Sequence, residues 1–288
     1  MDTESESEPT LEVTSSSVPV DTRAPGGRTN AYVCGSEPAL LVDPAGRTDE
    51  LDRLVDGRGV EHVLVTHTHP DHVGAVAEYA AETDATVWAR RSHADRFRAA
   101  TGIDPHLTFA SGTTISLGGG AVRLVDAPGH APDHVAVVLE SAAADERDGR
   151  PIGTGPILCG DCAVRDGSVV VGAPEGDMRA YVSTLRRLWA SNPARLLPGH
   201  GPEIDSPRAT LERLLEHRLE RERRVRKAVE AGAQTLDDVL EAAYEKDFTG
   251  VRDLARATVE AHLEKLAVEG RLEWDGERAR PSVESRSD

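Results

Sequence analysis

The segment HTHPDH at residues 67–72 limits what this chain can fold into more than any other feature of its sequence. It follows the run Val63–Thr66, in which every residue is apolar or β-branched, so the pattern predicts a buried strand that ends in a tight loop. Crowded imidazoles would repel one another if protonated and would lose hydration if buried, whereas a divalent cation accepts their nitrogen lone pairs. The loop therefore predicts a metal site that uses His67, His69, Asp71 and His72.

Three later segments each place a ligand-type side chain in a glycine-containing turn after an apolar run: DAPGH, CGD and LPGHG. Side chains at strand ends along one edge of a sheet can converge on one cavity. The predicted metal ligands are His67, His69, Asp71, His72, His130, Asp161 and His200.

The order HxHxDH, His, Asp, His resembles the metallo-β-lactamase superfamily over roughly residues 11–205. The resemblance implies an α+β fold, a four-layer αββα sandwich with two divalent cations, expected to be Zn²⁺, at one edge. It assigns His67, His69 and His130 to the first metal, Asp71, His72 and His200 to the second, and Asp161 to the bridging position. Two such cations would lower the pKa of a bridging water, and the resulting hydroxide would attack a carbonyl or phosphorus centre. The resemblance thus makes Asp71 the predicted catalytic residue, which binds the second cation and positions the hydroxide. It also implies that Asp43, in LLVDP, orients a ligand histidine. His134 lies close to His130 in the sequence and is expected beside the ligands or the substrate.

The character of the sequence becomes helical after Pro207. Helical spacing predicts a charged helix over Arg208–Ala231, in which the stretch Arg218–Lys227, with its interleaved glutamates, reads as a solvated face. A hairpin is predicted over residues 270–278, and three helices with a hairpin suggest a winged-helix-like module. The predicted domains are a disordered tail at residues 1–10, a hydrolase domain at 11–207 and the winged-helix-like domain at 208–288. The sequence also predicts three shorter helices, at Leu236–Tyr244, Val251–Leu254 and Thr258–Glu269. An exposed loop is predicted at Ser141–Gly155.

The tail segments HRLERERRV and HLEKLAVEGRLE, after the last metal histidine, resemble the β-lactamase-like protein 2 family. That resemblance implies an endoribonuclease acting on single-stranded RNA. Asp161 argues against β-lactam cleavage, because antibiotic-hydrolysing relatives commonly carry cysteine at the bridging position. Two alternatives stay open: a glyoxalase II-like thioesterase acting on a small-molecule thioester, and a metal-sensing winged-helix regulator.

The chain carries a net charge of −17, and all but three of its 33 basic residues are arginine. This composition resembles proteins of salt-loving microbes, in which salt screens the repulsion between acidic groups. Fourteen acidic and eight basic residues lie from Thr235 onward, so duplex DNA is not an expected partner. The C-terminal module is instead expected to pack on the core, shape the cleft or form a homodimer. The polar N-terminus and the lack of a long apolar run favour a cytoplasmic location with no membrane partner.

Overall fold

The computed structural model describes residues 11–24, 26–141, 155–244 and 250–282. The tail predicted at residues 1–10 lies outside them, as does the loop predicted over Ser141–Gly155 apart from its two end residues. The described residues form two compact units. The first takes its described residues from Met1–Ala127, Asp133–Gly167 and Ser191–Pro207, and the second from Pro128–Pro132, Ser168–Ala190 and Arg208–Asp288. The domain boundary expected at residue 207 stays a prediction.

Six strands form the first sheet, and they lie side by side in chain order. β1 to β3 pair antiparallel, and β3 to β6 pair parallel. Because β3 and β4 are parallel, the residues that follow them, Asp43 and the motif at 67–72, begin at the same edge of the sheet. The strands are β1 (Val13–Pro19), β2 (Arg28–Gly35), β3 (Ala39–Val42), β4 (Val60–Leu64), β5 (Thr86–Arg90) and β6 (Leu107–Phe109).

The second sheet has five strands in the order β11-β10-β9-β8-β7. Only β10 and β11 pair parallel, so the turns that follow these two strands also share an edge. Asp161 follows β10 directly, and His200 lies two residues after β11. The strands are β7 (Thr114–Leu117), β8 (Gly120–Asp126), β9 (Val135–Ser141), β10 (Ile157–Gly160) and β11 (Leu196–Pro198).

Alternate residues of the central strands explain how the layers of the first unit pack. Leu40 and Leu64 face the second sheet, where they meet Leu124 and other residues of one apolar cluster. Leu41 and Val63 face the opposite way, into a cluster with the helices. β3 and β4 are thus buried on both faces, which is why they read as nearly continuous apolar runs. The helices of this unit are α1 (Asp49–Asp56), α2 (Pro70–Val73), α3 (Val76–Thr83) and α4 (Ala94–Thr101).

The second unit is helical and ends in a short hairpin. Its core gathers apolar residues of three helices and the hairpin, among them Val225, Leu240, Leu263 and Leu272. A capping box at Thr235, whose hydroxyl accepts from the amide of Asp238, starts the second of those helices. The elements are α5 (Met178–Ser191, whose last residue is in the first unit), α6 (Pro207–Glu230), α7 (Leu236–Ala243), α8 (Arg252–Val268), β12 (Leu272–Trp274) and β13 (Ala279–Pro281).

The predicted α+β fold with two sheets and a C-terminal helical region is confirmed. The helices expected at Val251–Leu254 and Thr258–Glu269 are a single helix, α8, because the intervening Ala-Arg-Ala residues have high helix propensity and contain no breaker. The solvated face expected over Arg218–Lys227 is wrong at Arg218, whose side chain is buried. The winged-helix assignment stays a prediction. Among the helices of the described segments, none is both long and apolar enough to cross a membrane.

Candidate metal centre

Several buried polar side chains of the first unit lie close together where β3, β4, β10 and β11 end. His67 and His72 come from the segment after β4 and are 1% and 0% exposed, respectively. Asp161 and His200 come from the turns after β10 and β11, and both are buried. Buried polar groups of this kind are costly unless they are paired, so their convergence indicates a site that neutralises them.

Two sets of three ligand-type residues form this cluster. His67, His72 and Asp161 make one set, and Asp71, His72 and His200 make the other; within each set the ligand atoms lie within 4.8 Å of one another. His72 belongs to both sets, so the two candidate positions are adjacent. His69 lies beside the first of these sets, with its Nδ1 atom 3.0 Å from Nε2 of His67.

Each of three histidines holds its Nδ1 atom in a hydrogen bond on the side away from the cluster. His72 Nδ1 lies 3.0 Å from Oδ2 of Asp43, and His200 Nδ1 lies 2.8 Å from the carbonyl oxygen of Arg28. His67 Nδ1 lies 3.1 Å from the hydroxyl oxygen of Thr66. A hydrogen-bonded Nδ1 fixes the ring and leaves Nε2 for a ligand, which is the usual arrangement of histidines that bind metals.

The Nε2 atom of His72 provides a direct test of whether a cation fits. It is buried and has no hydrogen-bond partner among the described residues, and its nearest ionic neighbour is Oδ1 of Asp161 at 3.7 Å. His200 Nε2 lies 3.4 Å from Asp161 Oδ2 and 3.5 Å from Asp71 Oδ2. Nitrogen and carboxylate donors that converge without bonding one another closely are a donor set suited to divalent cations such as zinc.

Electrostatics at the cluster also favour positive charge. Burial lowers the pKa of His72, but hydrogen-bonded Asp43, then Asp161 and Asp71, outweigh it and raise that pKa to about 9. For His200, burial likewise lowers the pKa, and the carboxylate of Asp161 raises it above its ordinary value. The carboxylates thus stabilise a cation at the Nε2 atoms, which a proton or a metal ion can supply.

Asp43 connects the metal motif to the first sheet. It is 1% exposed and its backbone φ is 52°, in the left-handed region. One carboxylate oxygen accepts from the amide of Thr66 at 2.6 Å, and the other accepts from the Thr66 hydroxyl at 2.8 Å. The same second oxygen contacts His72. Asp43 therefore contacts both ends of the loop that carries the predicted ligands His67, His69, Asp71 and His72.

His134 contacts two residues of the predicted ligand set. Its ring stacks on that of His67 with centroids 4.9 Å apart, and its Nε2 accepts the backbone N–H of Asp161 at 3.0 Å. Since Nε2 is an acceptor, a neutral ring carries its proton on Nδ1, which lies 3.7 Å from the sulfur of Cys162. His134 is thus placed to orient Asp161 rather than to bind a cation itself.

His130 belongs to the second compact unit, within the segment Pro128–Pro132. Its Nδ1 lies 2.7 Å from the carbonyl oxygen of Val170 in the same unit. This contact orients its ring in the way that the other histidines are oriented. Its assignment as a metal ligand stays a prediction.

Gly199 is required by close packing in the cluster. A Cβ atom there would lie 2.5 Å from Oδ1 of Asp161 and 2.8 Å from Cε1 of His72. Gly160 has φ +47°, and a Cβ there would meet Nε2 of His134 and Oγ1 of Thr66, each at 2.7 Å. The glycines of the CGD and LPGHG turns therefore let the ligands approach one another.

Several supporting residues were not predicted from the sequence. Tyr32 and Asn30 of β2 donate hydrogen bonds to the Pro198 carbonyl oxygen at 2.8 and 3.0 Å and so hold the turn that carries His200. Thr68, between the predicted ligands His67 and His69, donates to Asp133 at 2.7 Å and accepts from Arg96 at 2.8 Å. These partners are far apart in the chain, and no local motif marks them.

The first unit thus combines two sheets packed face to face, helices against the first sheet, and a histidine–aspartate cluster at one edge that could hold metal ions. Residues 24–142 match the family model described as the metallo-β-lactamase superfamily. This segment of the chain therefore carries a metallo-β-lactamase superfamily domain.

The chain is also similar to individual proteins. A β-lactamase-like protein 2 homolog from Drosophila melanogaster is 28% identical over 85% of this chain and 84% of its own length. An atrochrysone carboxyl ACP thioesterase from Cryptosporiopsis sp. is 26% identical over 86% of this chain and 77% of its own length. Among solved structures, a metallo-β-lactamase family protein from Thermus thermophilus aligns with a TM-score of 0.70 at 21% identity, covering 93% of this chain and 98% of its own. The predicted resemblance to the superfamily is confirmed.

Proposed function

We propose that this chain is a dinuclear zinc hydrolase that cleaves acyl thioesters. His67 and His69, with His130 by the family resemblance, would hold one cation, and Asp71, His72 and His200 the other, with Asp161 between them. When bound, two such cations activate a water for attack at neutral pH and stabilise the negative charge that develops on the substrate. The unpartnered, buried Nε2 of His72 is the observation that carries the metal assignment.

The residues around the cations have separable roles in this proposal. Asp43 keeps the proton of His72 on Nδ1, so that Nε2 presents its lone pair. His134 holds the backbone of Asp161. Asp71 accepts a hydrogen bond from the hydroxyl of Thr22 at 2.5 Å, which orients its carboxylate toward the attacking water. Removing Asp71 therefore removes both a ligand and the group that positions the nucleophile.

Two observations favour a thioester as the substrate. A relative that aligns over 86% of this chain is named a thioesterase, and a thioester carries its reactive carbonyl without a phosphate charge. The net charge of −17 repels a polyanion on average. A hydrolase of this composition approaches an uncharged acyl group more readily than an RNA backbone.

Single-stranded RNA is the second candidate substrate. It rests on the similarity to a β-lactamase-like protein 2 homolog, which extends over 85% of the chain and so includes part of the C-terminal unit. Salt at high concentration would screen the repulsion between an acidic protein and RNA. If RNA is the substrate, its cleavage is therefore expected at molar salt concentration, where this repulsion is screened.

A substrate panel tests the proposal. Zinc-loaded protein in molar potassium chloride is incubated with S-acyl-pantetheine and, separately, with an end-labelled single-stranded RNA. We expect thioester hydrolysis, reduced at least 1,000-fold in Asp71→Ala and unchanged in Asp166→Ala, whose side chain is 84% exposed. RNA cleavage without thioester hydrolysis would replace the first candidate with the second. Zinc-loaded protein that cleaved neither substrate but bound DNA would support the metal-sensing regulator instead.

A further inference from the structure

Arg218 occupies a core position of helix α6. The buried residues of α6 follow helical spacing, with Leu211 and Leu214 before Arg218 and Val225 and Val229 after it. These four residues are aliphatic, whereas position 218 carries an arginine that is 1% exposed. Arginine is almost never buried to this extent without a charged partner, because desolvation of its charge is costly.

The contacts of Arg218 within the described residues are all with neutral groups. Its Nη2 donates to the carbonyl oxygen of Val169, and its guanidinium lies over the ring of Tyr181, 5.5 Å from the centroid. Its Nε has no hydrogen-bond partner in the described part of the chain, and no carboxylate there forms an ion pair with it. Within the described residues, one full positive charge is therefore left without a compensating anion.

His262 of helix α8 adds a second unsatisfied group to the same interior. Its side chain is 0% exposed, and neither ring nitrogen has a hydrogen-bond partner among the residues described. The charged or titratable groups that act on it are Arg218, Arg221 and His217 from α6 and Lys265 from α8. Lys265 is neutralised by Glu222 at 2.6 Å and Glu269 at 2.9 Å, so the excess positive charge belongs to the arginines.

We propose that the interior of the helical unit, between α6 and α8, contains a binding site for a small inorganic anion of the size and charge of chloride. The Nε–H of Arg218 and a ring N–H of His262 donate to this anion, which satisfies both donors and balances the buried charge. Nearly complete burial of both side chains excludes a larger ligand with an organic tail. The site lies in the second unit and shares no residue with the metal cluster.

Unfolding of the full-length, zinc-loaded protein tests the site. Chloride is titrated against gluconate at constant potassium concentration and ionic strength, so that general screening stays the same throughout. We expect chloride to stabilise the wild type, with the folding equilibrium constant rising about 100-fold when chloride reaches about 100 times its dissociation constant. Arg218→Met fills the core position without a charge and should lose this dependence. Arg223→Met, on the same helix with a side chain 70% exposed, should keep it.

Bromide provides an independent readout if Arg218→Met does not fold. A crystal of the wild type grown in bromide should show an anomalous peak within hydrogen-bond distance of Arg218 Nε. Equal stability of the wild type in chloride and gluconate would overturn the proposal, and so would unchanged chloride dependence in Arg218→Met. A bromide crystal with no peak beside Arg218 would overturn it as well.

Discussion

Asp43 offers the sharpest test of how the protein prepares its metal ligands, because one atom of its side chain serves two partners. Oδ2 contacts both the hydroxyl of Thr66 at 2.8 Å and Nδ1 of His72 at 3.0 Å, while Oδ1 accepts the Thr66 amide. In Asp43→Asn the amide oxygen can keep the Thr66 amide bond, which turns the NH₂ group toward His72 Nδ1–H. Two donors then face each other, and relief requires the His72 proton to move to Nε2, where it blocks the lone pair that a cation needs.

The expected consequence is a loss of metal affinity with the fold retained. Changes in groups that orient metal ligands typically weaken binding 10- to 100-fold, which corresponds to about 1.4–2.8 kcal/mol. Zinc affinity is measured by competition with a chromogenic chelator, and folding by circular dichroism of the metal-free protein. Asp126→Asn is the matched control, since Asp126 pairs with Arg90 at 2.6 Å and touches no ligand. Wild-type zinc affinity in Asp43→Asn, or an equal loss in Asp126→Asn, would refute this account of the loop.

Two further predictions concern close packing and pH. Gly199→Ala places a methyl group 2.5 Å from the carboxylate of Asp161. We expect this substitution to lower the free energy of unfolding by about 1–3 kcal/mol and to weaken zinc binding. Urea titrations of the variant that match those of the wild type would contradict this prediction. Burial, reinforced by Arg218 and neighbouring cations, holds the pKa of His262 well below 6.5, so the unfolded chain binds a proton that the folded chain does not. Stability should therefore fall as pH drops below 6.5, by up to about 1.4 kcal/mol per pH unit, and His262→Leu should lack this component. Urea titrations in gluconate buffer from pH 7 to 5 compare the two slopes, and equal slopes would show that His262 is not buried as a neutral ring.

The residues of the metal cluster could be predicted from the sequence where they lie in one short motif or where each follows a strand that ends at the same edge. Four metal-ligand side chains within residues 67–72 are costly to bury without a cation, and this holds in any fold that buries them. Asp161 and His200 could be added because each follows an apolar run, and β10 and β11 do place both turns at one edge. The sheet pairing therefore accounts for the convergence that the turn pattern predicted.

Other features could not be predicted because they depend on partners distant in the chain. Tyr32 reaches a backbone carbonyl at Pro198, and the sequence does not indicate which carbonyl a buried hydroxyl will meet. Arg218 sits among alternating arginines and glutamates, a pattern typical of a solvated helix face. Only the packing of the helical unit shows that this one position of the series faces the core. The pattern of charged residues thus predicted the helix, but it did not predict which of its residues are buried.

Metal stoichiometry tests the central claim, a two-cation centre at the sheet edge, most directly. Protein dialysed against buffered zinc and then analysed by inductively coupled plasma mass spectrometry should contain two zinc ions per chain. His72→Ala, which removes the residue shared by both sets of ligands, should contain fewer than one, whereas Asp166→Ala should keep two. A wild-type protein that retained no zinc, manganese or iron, or a His72→Ala variant that retained two ions, would contradict the assignment of this cluster as a metal centre.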